Sequence, residues 1–434
     1  MPCSVLILGA LLATSALALA QARNPALGEP PPAPQPPIAT TTGAEGLDIG
    51  PGGFSLRSPD GDYRLNVRGY VQIDERLYVD SAAVAPTTFL VRRARPIFDA
   101  VVARWFGFRI MPDFGGGQAV IYDAYVEVRT RPEIVLTVGK FRPPIGFERL
   151  QSASRTTFVE YGPPSNLVPY RDLGVQLSGE LGKGVLLYAA GIFNGAGDFG
   201  LSDGDNSDDK DVAGRILLRP FVRLSGAALS ALSLGLSASF GRQTGTPAAP
   251  NLPSYRTLSE QVFFAFVSDG TAAGTAVAAG DRLRFSPHGV WYWGRLGLLG
   301  EYVRETQRVS RGVDVADLNF WAWQVALSCV LFGGQPSWEG VQPLASSPAR
   351  NPFVALEIAA RYGEHHNDLA AFQLGFADPW KSAQVMRAGG TVVNLYLSRG
   401  FKVSADLELA QFVGGGTPKR GDETSLLLRM QVGF

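Results

Sequence analysis

Apolar and polar residues alternate with period two in segment after segment of this chain, and that pattern argues for strands over most of its length. In residues 232–241, Leu232, Leu234, Leu236, Ala238 and Phe240 form one face, and Ser233, Gly235, Ser237, Ser239 and Gly241 form the other. Residues 401–409 set Phe401, Val403, Ala405, Leu407 and Leu409 against Lys402, Ser404, Asp406 and Glu408. The last residues place Leu426, Leu428, Met430, Val432 and Phe434 opposite Leu427, Arg429, Gln431 and Gly433. Residues 120–129, 321–328 and 354–361 follow the same rule. In the first of these, Val120, Tyr122, Ala124, Val126 and Val128 oppose Ile121, Asp123, Tyr125, Glu127 and Arg129.

A soluble sandwich produces the same alternation. Three features favour a transmembrane antiparallel β-barrel instead. The segments run about 9–11 residues, the length of a tilted strand that crosses a bilayer. Aromatic residues sit near segment ends, as in Trp291-Tyr292-Trp293 and Trp321-Ala322-Trp323, where interfacial girdles form. The chain also ends on Phe434, on the apolar face of its last strand. From residue 54 onward the length permits roughly 14–18 strands, enough for an aqueous lumen. The inward face is rich in Ser, Gly, Arg and Glu, as a wet lumen would be. Its small residues Ser233, Gly235 and Ser237 argue against a packed interior.

The N-terminal residues read as a secretory signal over 1–22, with an apolar run ending in Ala18-Leu19-Ala20. A proline-dense periplasmic linker over 23–53 follows, and the barrel domain occupies 54–434. Removal of the signal leaves Cys329 as the lone thiol, so no intrachain disulfide is expected. Charge excludes one partner class. With 39 basic and 39 acidic residues the chain is neutral, which argues against nucleic acid.

Against that neutrality, residues 89–98 read FLVRRARPIF. Strand parity turns Arg93, Arg95 and Asp99 to the lumen and Ala94, Pro96 and Phe98 to lipid. Arg92 breaks the alternation. A cation facing the bilayer centre costs about 2–4 kcal/mol, so Arg92 belongs at a strand end or a bulge. The next strands add Arg109, Asp113, Asp123, Glu127 and Arg129 to the lumen. Residues 141–170 are then long for a hairpin connection, and long loops are commonly functional. From 140 to 171 five basic residues stand against two acidic ones, Glu148 and Glu160. Folded inward, this loop would face the arginine wall. Guanidinium offers a permanent charge and a planar fork that matches oxyanions.

The stretches GKFRPPIGFERL, SRTTFVEY, PYRDLGVQLSGEL and AAGIFNGAGD, with RRARPIFDA and DAYVEV upstream, resemble the phosphate-selective porin O and P family. The resemblance is specific over about 92–198 and diffuse beyond. It implies a trimeric barrel of about 16 strands in the outer membrane of a Gram-negative bacterium, with a third loop narrowing the pore. It further implies passive uptake of phosphate or similar small anions. Arg92, Arg93 and Arg95 would be constriction-wall residues, Asp123 their acidic partner, and Lys140 and Arg142 its flanks. The chain departs from the family in having only six lysines, whereas phosphate selectivity there leans on lysine-rich entrances.

Other readings use the same residues. The arginines could pair with Asp99, Asp113, Asp123 and Glu127 and pack the wall. The barrel could be a general diffusion porin, an outer-membrane enzyme or a plugged structural barrel. An enzyme is not expected, because three histidines offer little for a catalytic centre, and G-x-S-x-G at 200–204 lies in an acidic loop. No metal-ligand spacing or phosphate loop is present, so no cofactor is expected.

Overall fold

In the computed structural model the described residues are 46–50, 52–79, 85–195, 208–224, 226–343, 354–414 and 421–434. The signal and most of the linker, and the G-x-S-x-G stretch, lie outside them. Sixteen antiparallel strands close into one barrel, as the alternation predicts. The first eight are β1 (Arg64–Tyr78), β2 (Thr88–Val102), β3 (Phe106–Asp113), β4 (Val120–Arg131), β5 (Ile134–Phe141), β6 (Asp172–Leu181), β7 (Leu186–Phe193) and β8 (Asp211–Leu218). The rest are β9 (Ser233–Thr244), β10 (Val277–Trp293), β11 (Leu296–Arg311), β12 (Asp314–Phe332), β13 (Ala355–His366), β14 (Val385–Tyr396), β15 (Phe401–Val413) and β16 (Glu423–Gly433). Each strand pairs with its sequence neighbour, and β16 closes on β1 from Ser425↔Tyr78 to Gly433↔Tyr70. Closure leaves no long open edge.

The alternation maps onto the wall. On β9, Leu234, Leu236 and Phe240 face outward and are exposed, while Ser233, Ser237 and Ser239 are buried inside. On β16, Met430 and Val432 are exposed and Leu427, Arg429 and Gln431 are buried. The outer face is thus an apolar band suited to hydrocarbon, and no described helix is long and apolar enough to cross a membrane. The first described hairpin and Phe434 lie at one end, where several connections are tight turns, as at the periplasmic rim of an outer-membrane barrel.

Two features differ from the sequence expectation, and a third, the bulge at Arg92, meets it. The linker gives way to structure at Leu47, where Leu47–Gly50 and Gly53–Arg57 form a hairpin on β1 below the end of β16. Two bulges also break the alternation. One lies between β1 and β2, where Gln72 faces Arg93 but Ile73 faces Val91, so Arg92 is the extra residue and both Arg92 and Arg93 serve the lumen. The other lies between β3 and β4, where Met111 faces Asp123 but Pro112 faces Ile121. The extra residue there is Tyr122. Its ring turns inward and is buried, while Ile121 takes the exposed outer position. The sequence pattern put these two the other way round.

The lumen is not open throughout. The small residues of β9 make space for other chain rather than for water. Gly146 N donates to Ser237 Oγ at 3.2 Å. A Cβ on Gly235 would stand 2.1 Å from His288 Nε2, so a larger residue there would have to displace the imidazole. This corrects the inference that small inward residues mean an unpacked interior.

Candidate pore constriction

The long connection between β5 and β6, residues 142–171, folds into the barrel as the sequence suggests. Pro143-Pro144 lack the N–H groups that would continue a ladder, so the chain leaves the wall there, and Pro163-Pro164 open the second of its internal turns. Two short 3₁₀ turns, Glu148–Leu150 and Pro163–Leu167, shape the excursion. A buried irregular segment needs partners for its backbone, and the far wall supplies them. Phe147 N and Glu148 N donate to the Glu301 carboxylate at 2.6 and 3.1 Å. Val159 N donates to Asp406 at 2.8 Å. Thr156 and Thr157 carbonyls accept from Lys402 Nζ and Asn394 Nδ2 at 2.9 and 2.8 Å. Glu148 accepts from Gly162 N and Gln324 Nε2, both at 2.7 Å.

The arginine stretch meets this loop at one carboxylate, Glu160. Arg92 Nε and Nη2 reach its two oxygens at 2.7 and 3.1 Å, and Arg93 Nη2 at 3.0 Å. Arg429 on β16 and Arg76 on β1 add bonds at 2.9 and 3.3 Å. Arg361 on β13 donates to the Glu160 carbonyl at 2.7 Å. Burial alone would raise the Glu160 carboxyl, but Arg92, Arg93 and Arg429 overrule it and hold it well below the usual carboxylate range. Arg429 also grips Asp74 with both arms of its fork, at 2.6 and 2.7 Å. Arg92 spans from Glu160 to Glu260 at 3.0 Å and keeps a quarter of its side chain exposed.

The other candidates separate. Arg95 is buried, bound to Asp113 at 2.8 Å and to the Tyr70 hydroxyl at 3.0 Å, with its guanidinium 3.9 Å above the Tyr122 ring. Asp123 accepts from Arg171 Nε at 2.6 Å. Arg142 Nη1 donates to the Leu150 carbonyl at 2.7 Å. Arg109 binds Asp99 at 2.6 Å, and Arg129 pairs with Glu127. Lys140 faces Ala124 and Leu173 in register, which sets it on the outward row with Leu136 and Val138, although it is buried. Thus Arg92 and Arg93 share one centre, Asp123 and Arg142 share a second, and Arg95 lies between. Lys140 stands apart. Sequence reasoning missed Glu160 as the hub, together with Arg76, Arg361 and Arg429. Its one available signal was that Glu160 is one of two carboxylates in a basic loop.

Cavities follow the arginine side. One of about 350 Å³ opens at the terminus-bearing end beside Arg68, Arg155, Arg399 and Lys402. A second, about 100 Å³, lies between the loop and strands β3 to β8, beside Arg109, Asp123, Arg142 and Arg215. A small one, about 20 Å³, sits on the other side of the constriction by Arg149, Arg256 and Glu260. The far side of the lumen is filled. Residues 245–276 send a hairpin inward, Ser254–Arg256 with Val262–Ala265. Its Tyr255, Phe263 and Phe264 are fully buried against Phe320, Met386 and Phe412 of the wall. From the terminus-bearing end a second hairpin, Gly334–Gln335 with Gln342–Pro343, lifts Trp338 against Phe147 at 4.3 Å between ring centres. Gln151 Nε2 donates to the Trp338 carbonyl at 2.6 Å, and Arg155 pairs with Glu339.

A sixteen-stranded barrel with an apolar outer band and a long loop folded into its lumen is an outer-membrane porin. A family model for phosphate-selective porins O and P matches residues 65–409, and the chain belongs to that family. Solved structures share the fold at low identity. The outer-membrane channel DcaP of Acinetobacter baumannii is 11% identical, with a TM-score of 0.56 over 87% of this chain and 99% of that one. OmpF of Salmonella typhi is 9% identical, with a TM-score of 0.54 over 87% and 100%. OmpT of Vibrio cholerae, solved as a trimer, is 11% identical, with a TM-score of 0.51 over 86% and 99%. No curated protein matches the sequence. The chain is placed in the outer membrane of a Gram-negative bacterium as a porin channel.

Proposed function

We propose that this porin is a narrow, anion-preferring pore for passive uptake of phosphate or similar small anions, working as a homotrimer in outer-membrane lipid. The observation that carries the reading is the concentration of guanidinium groups along the cavities of one side of the lumen. Arg149 and Arg256 flank the first cavity, Arg109, Arg142 and Arg215 the second, and Arg68, Arg155 and Arg399 the third. Fixed charges in a narrow, low-dielectric tube set a local field regardless of the protein's net charge. A succession of weak sites lets an anion enter and leave again.

Within this reading the candidates take different parts. Arg92 keeps part of its charge toward the lumen and meets the incoming anion. Arg93 and Arg95 are consumed by Glu160 and Asp113, so they fix the constriction and contribute field. Asp123 and Arg142 border the middle cavity, where the carboxylate keeps anion binding weak. Lys140 contributes only at a distance. The trimer rests on kinship with porins such as OmpT, solved in that form.

Reversal potential across a planar bilayer under a potassium chloride gradient tests the reading. An anion-side potential that falls in Arg92→Ala with Arg142→Ala is the expected result. A cation-side or zero potential in the wild type overturns it. Cross-linking in detergent checks the trimer.

A further inference from the structure

Arg215 on β8 differs from the other lumenal arginines of this wall. Arg93, Arg95, Arg109, Arg129 and Arg171 each hold a carboxylate within ion-pair distance. Among the described residues Arg215 has no ion pair, and its Nη1 is buried with no hydrogen-bond partner. A buried donor left unsatisfied is costly, more so when charged, and calls for an explanation. Its guanidinium borders the middle cavity of about 100 Å³.

The rest of that cavity is of two kinds. Arg109, Arg142, Thr137 and Gln176 bring polar groups to the lining, and Tyr125, Phe141, Pro144 and Leu150 bring largely apolar surface. Two carboxylates, Asp123 and Glu127, share the lining. Arg142 already donates to a carbonyl and Arg109 to Asp99. The cavity therefore offers a guanidinium with no ion pair in a lining that also carries apolar side chains.

We propose that this cavity is a subsite for a small organic monocarboxylate, with its head on Arg215 and its hydrocarbon body against Tyr125, Phe141 and Leu150. The assignment rests on the anion-preferring reading above and narrows it to a ligand class. A carboxylate places both oxygens on one side, where the planar guanidinium fork takes them in parallel. Its apolar end then replaces water against apolar side chains. Inorganic phosphate presents oxygen in every direction, so half of its hydration shell would be exchanged for hydrocarbon with no hydrogen bond in return. The second charge of the phosphate dianion would also meet Asp123 and Glu127. Scarcity of lysine fits the same ligand, since a compact, strongly hydrated ammonium suits a phosphate better than an apolar-walled slot.

The test is block of chloride current through the full-length protein in planar bilayers, with benzoate, butyrate or inorganic phosphate added at equal concentration. Benzoate and butyrate block at millimolar levels, phosphate at least tenfold more weakly. Arg215→Gln raises the half-blocking benzoate concentration about tenfold, while Arg215→Lys, which keeps the charge and loses the fork, falls between. Leu150→Ala weakens the benzoate block and leaves the phosphate block in place. Migration as a folded barrel on an unheated gel confirms that each variant folded.

Equal block by phosphate and benzoate overturns the ligand class, and an unchanged benzoate block in Arg215→Gln overturns the site. Either result can stand beside an anion-side reversal potential, so the subsite fails separately from the pore's preference. A wild type with no anion preference removes the parent reading, and with it the subsite unless Arg215-dependent benzoate block persists.

Discussion

The two sides of this lumen are filled by opposite chemistry. Toward β1, β2 and β16 the inserted loop is held by charge, with Glu160 clasped by arginines from those strands. On the β10 to β15 side the inward hairpin is held by burial of Tyr255, Phe263 and Phe264 among Phe320, Met386 and Phe412. Charge pairs demand geometry but leave cavities between side chains, whereas apolar packing closes space. One sheet thus supports a polar passage beside a solid wall. The difference teaches that the inward face of a barrel strand has no fixed meaning: its residues match whatever is folded against them.

The largest break in this comparison comes from Glu160→Ala. It leaves several buried guanidinium groups without their shared anion, and loss of one partner of a buried pair costs about 3–5 kcal/mol. The loop detaches from the wall, so single-channel conductance rises and the thermal midpoint falls. An unchanged conductance would show that the clasp does not set the bore. Phe264→Ala strikes the other side. It removes a fully buried ring, with a cost of about 3–5 kcal/mol, and lowers the thermal midpoint by an amount insensitive to salt. Anion preference stays with the intact arginine side.

Acid sharpens the contrast. The Glu160 carboxyl sits well below its ordinary value in the folded protein. Its stabilisation is therefore complete above the ordinary glutamate value of about 4.3 and is lost only as pH falls through the depressed one. Titrated on the Glu160 clasp alone, conductance holds through pH 5 and changes well below 4. A transition near 5 would place the clasp elsewhere. Smaller still is Gly235→Ala, whose methyl displaces His288. Overpacking of this kind costs about 1–3 kcal/mol, read as a modest drop in thermal midpoint with conductance little changed. Arg308→Ala removes a half-exposed partner of Asp317. Exposed pairs contribute about 0–1 kcal/mol, so this variant serves as the baseline.

Much of the wall was legible in the sequence, because a half-buried strand writes its two faces as alternation. The outward Trp321 and Trp323 and the inward Asp406 and Glu408 follow from parity, whereas chain length only bounded the strand count and the figure of about 16 came from the resemblance. The length and basic excess of residues 141–170 were legible, but their inward course came from the family resemblance rather than from the residues themselves. Even the lapse at Arg92 was informative, since the cost of a lipid-facing cation demands the bulge that the register contains. Tyr122 was misplaced because a bulge leaves no mark in composition. The Glu160 clasp could not be read at all: Arg76, Arg92 and Arg429 are brought to it by barrel closure, and Arg429 is 269 positions away along the chain. The filling of the far side was hidden for a related reason. Tyr255, Phe263 and Phe264 sit in a loop, where aromatic residues carry no periodic signature.

The short hairpin at the seam has a further consequence, for how the barrel is built. Its second strand occupies the edge of β1 at Arg64 to Val67, and β16 zips along the same edge from Tyr70 upward. Phe434 meets Gly69 through two backbone bonds of 3.0 Å, and its ring lies 5.8 Å from that of Phe54. The hairpin acts as a doorstop. A last strand that arrives two residues too low collides with Phe54, and one that arrives too high leaves Gly69 unpaired. The first described segment therefore sets the stagger at which the last one can latch.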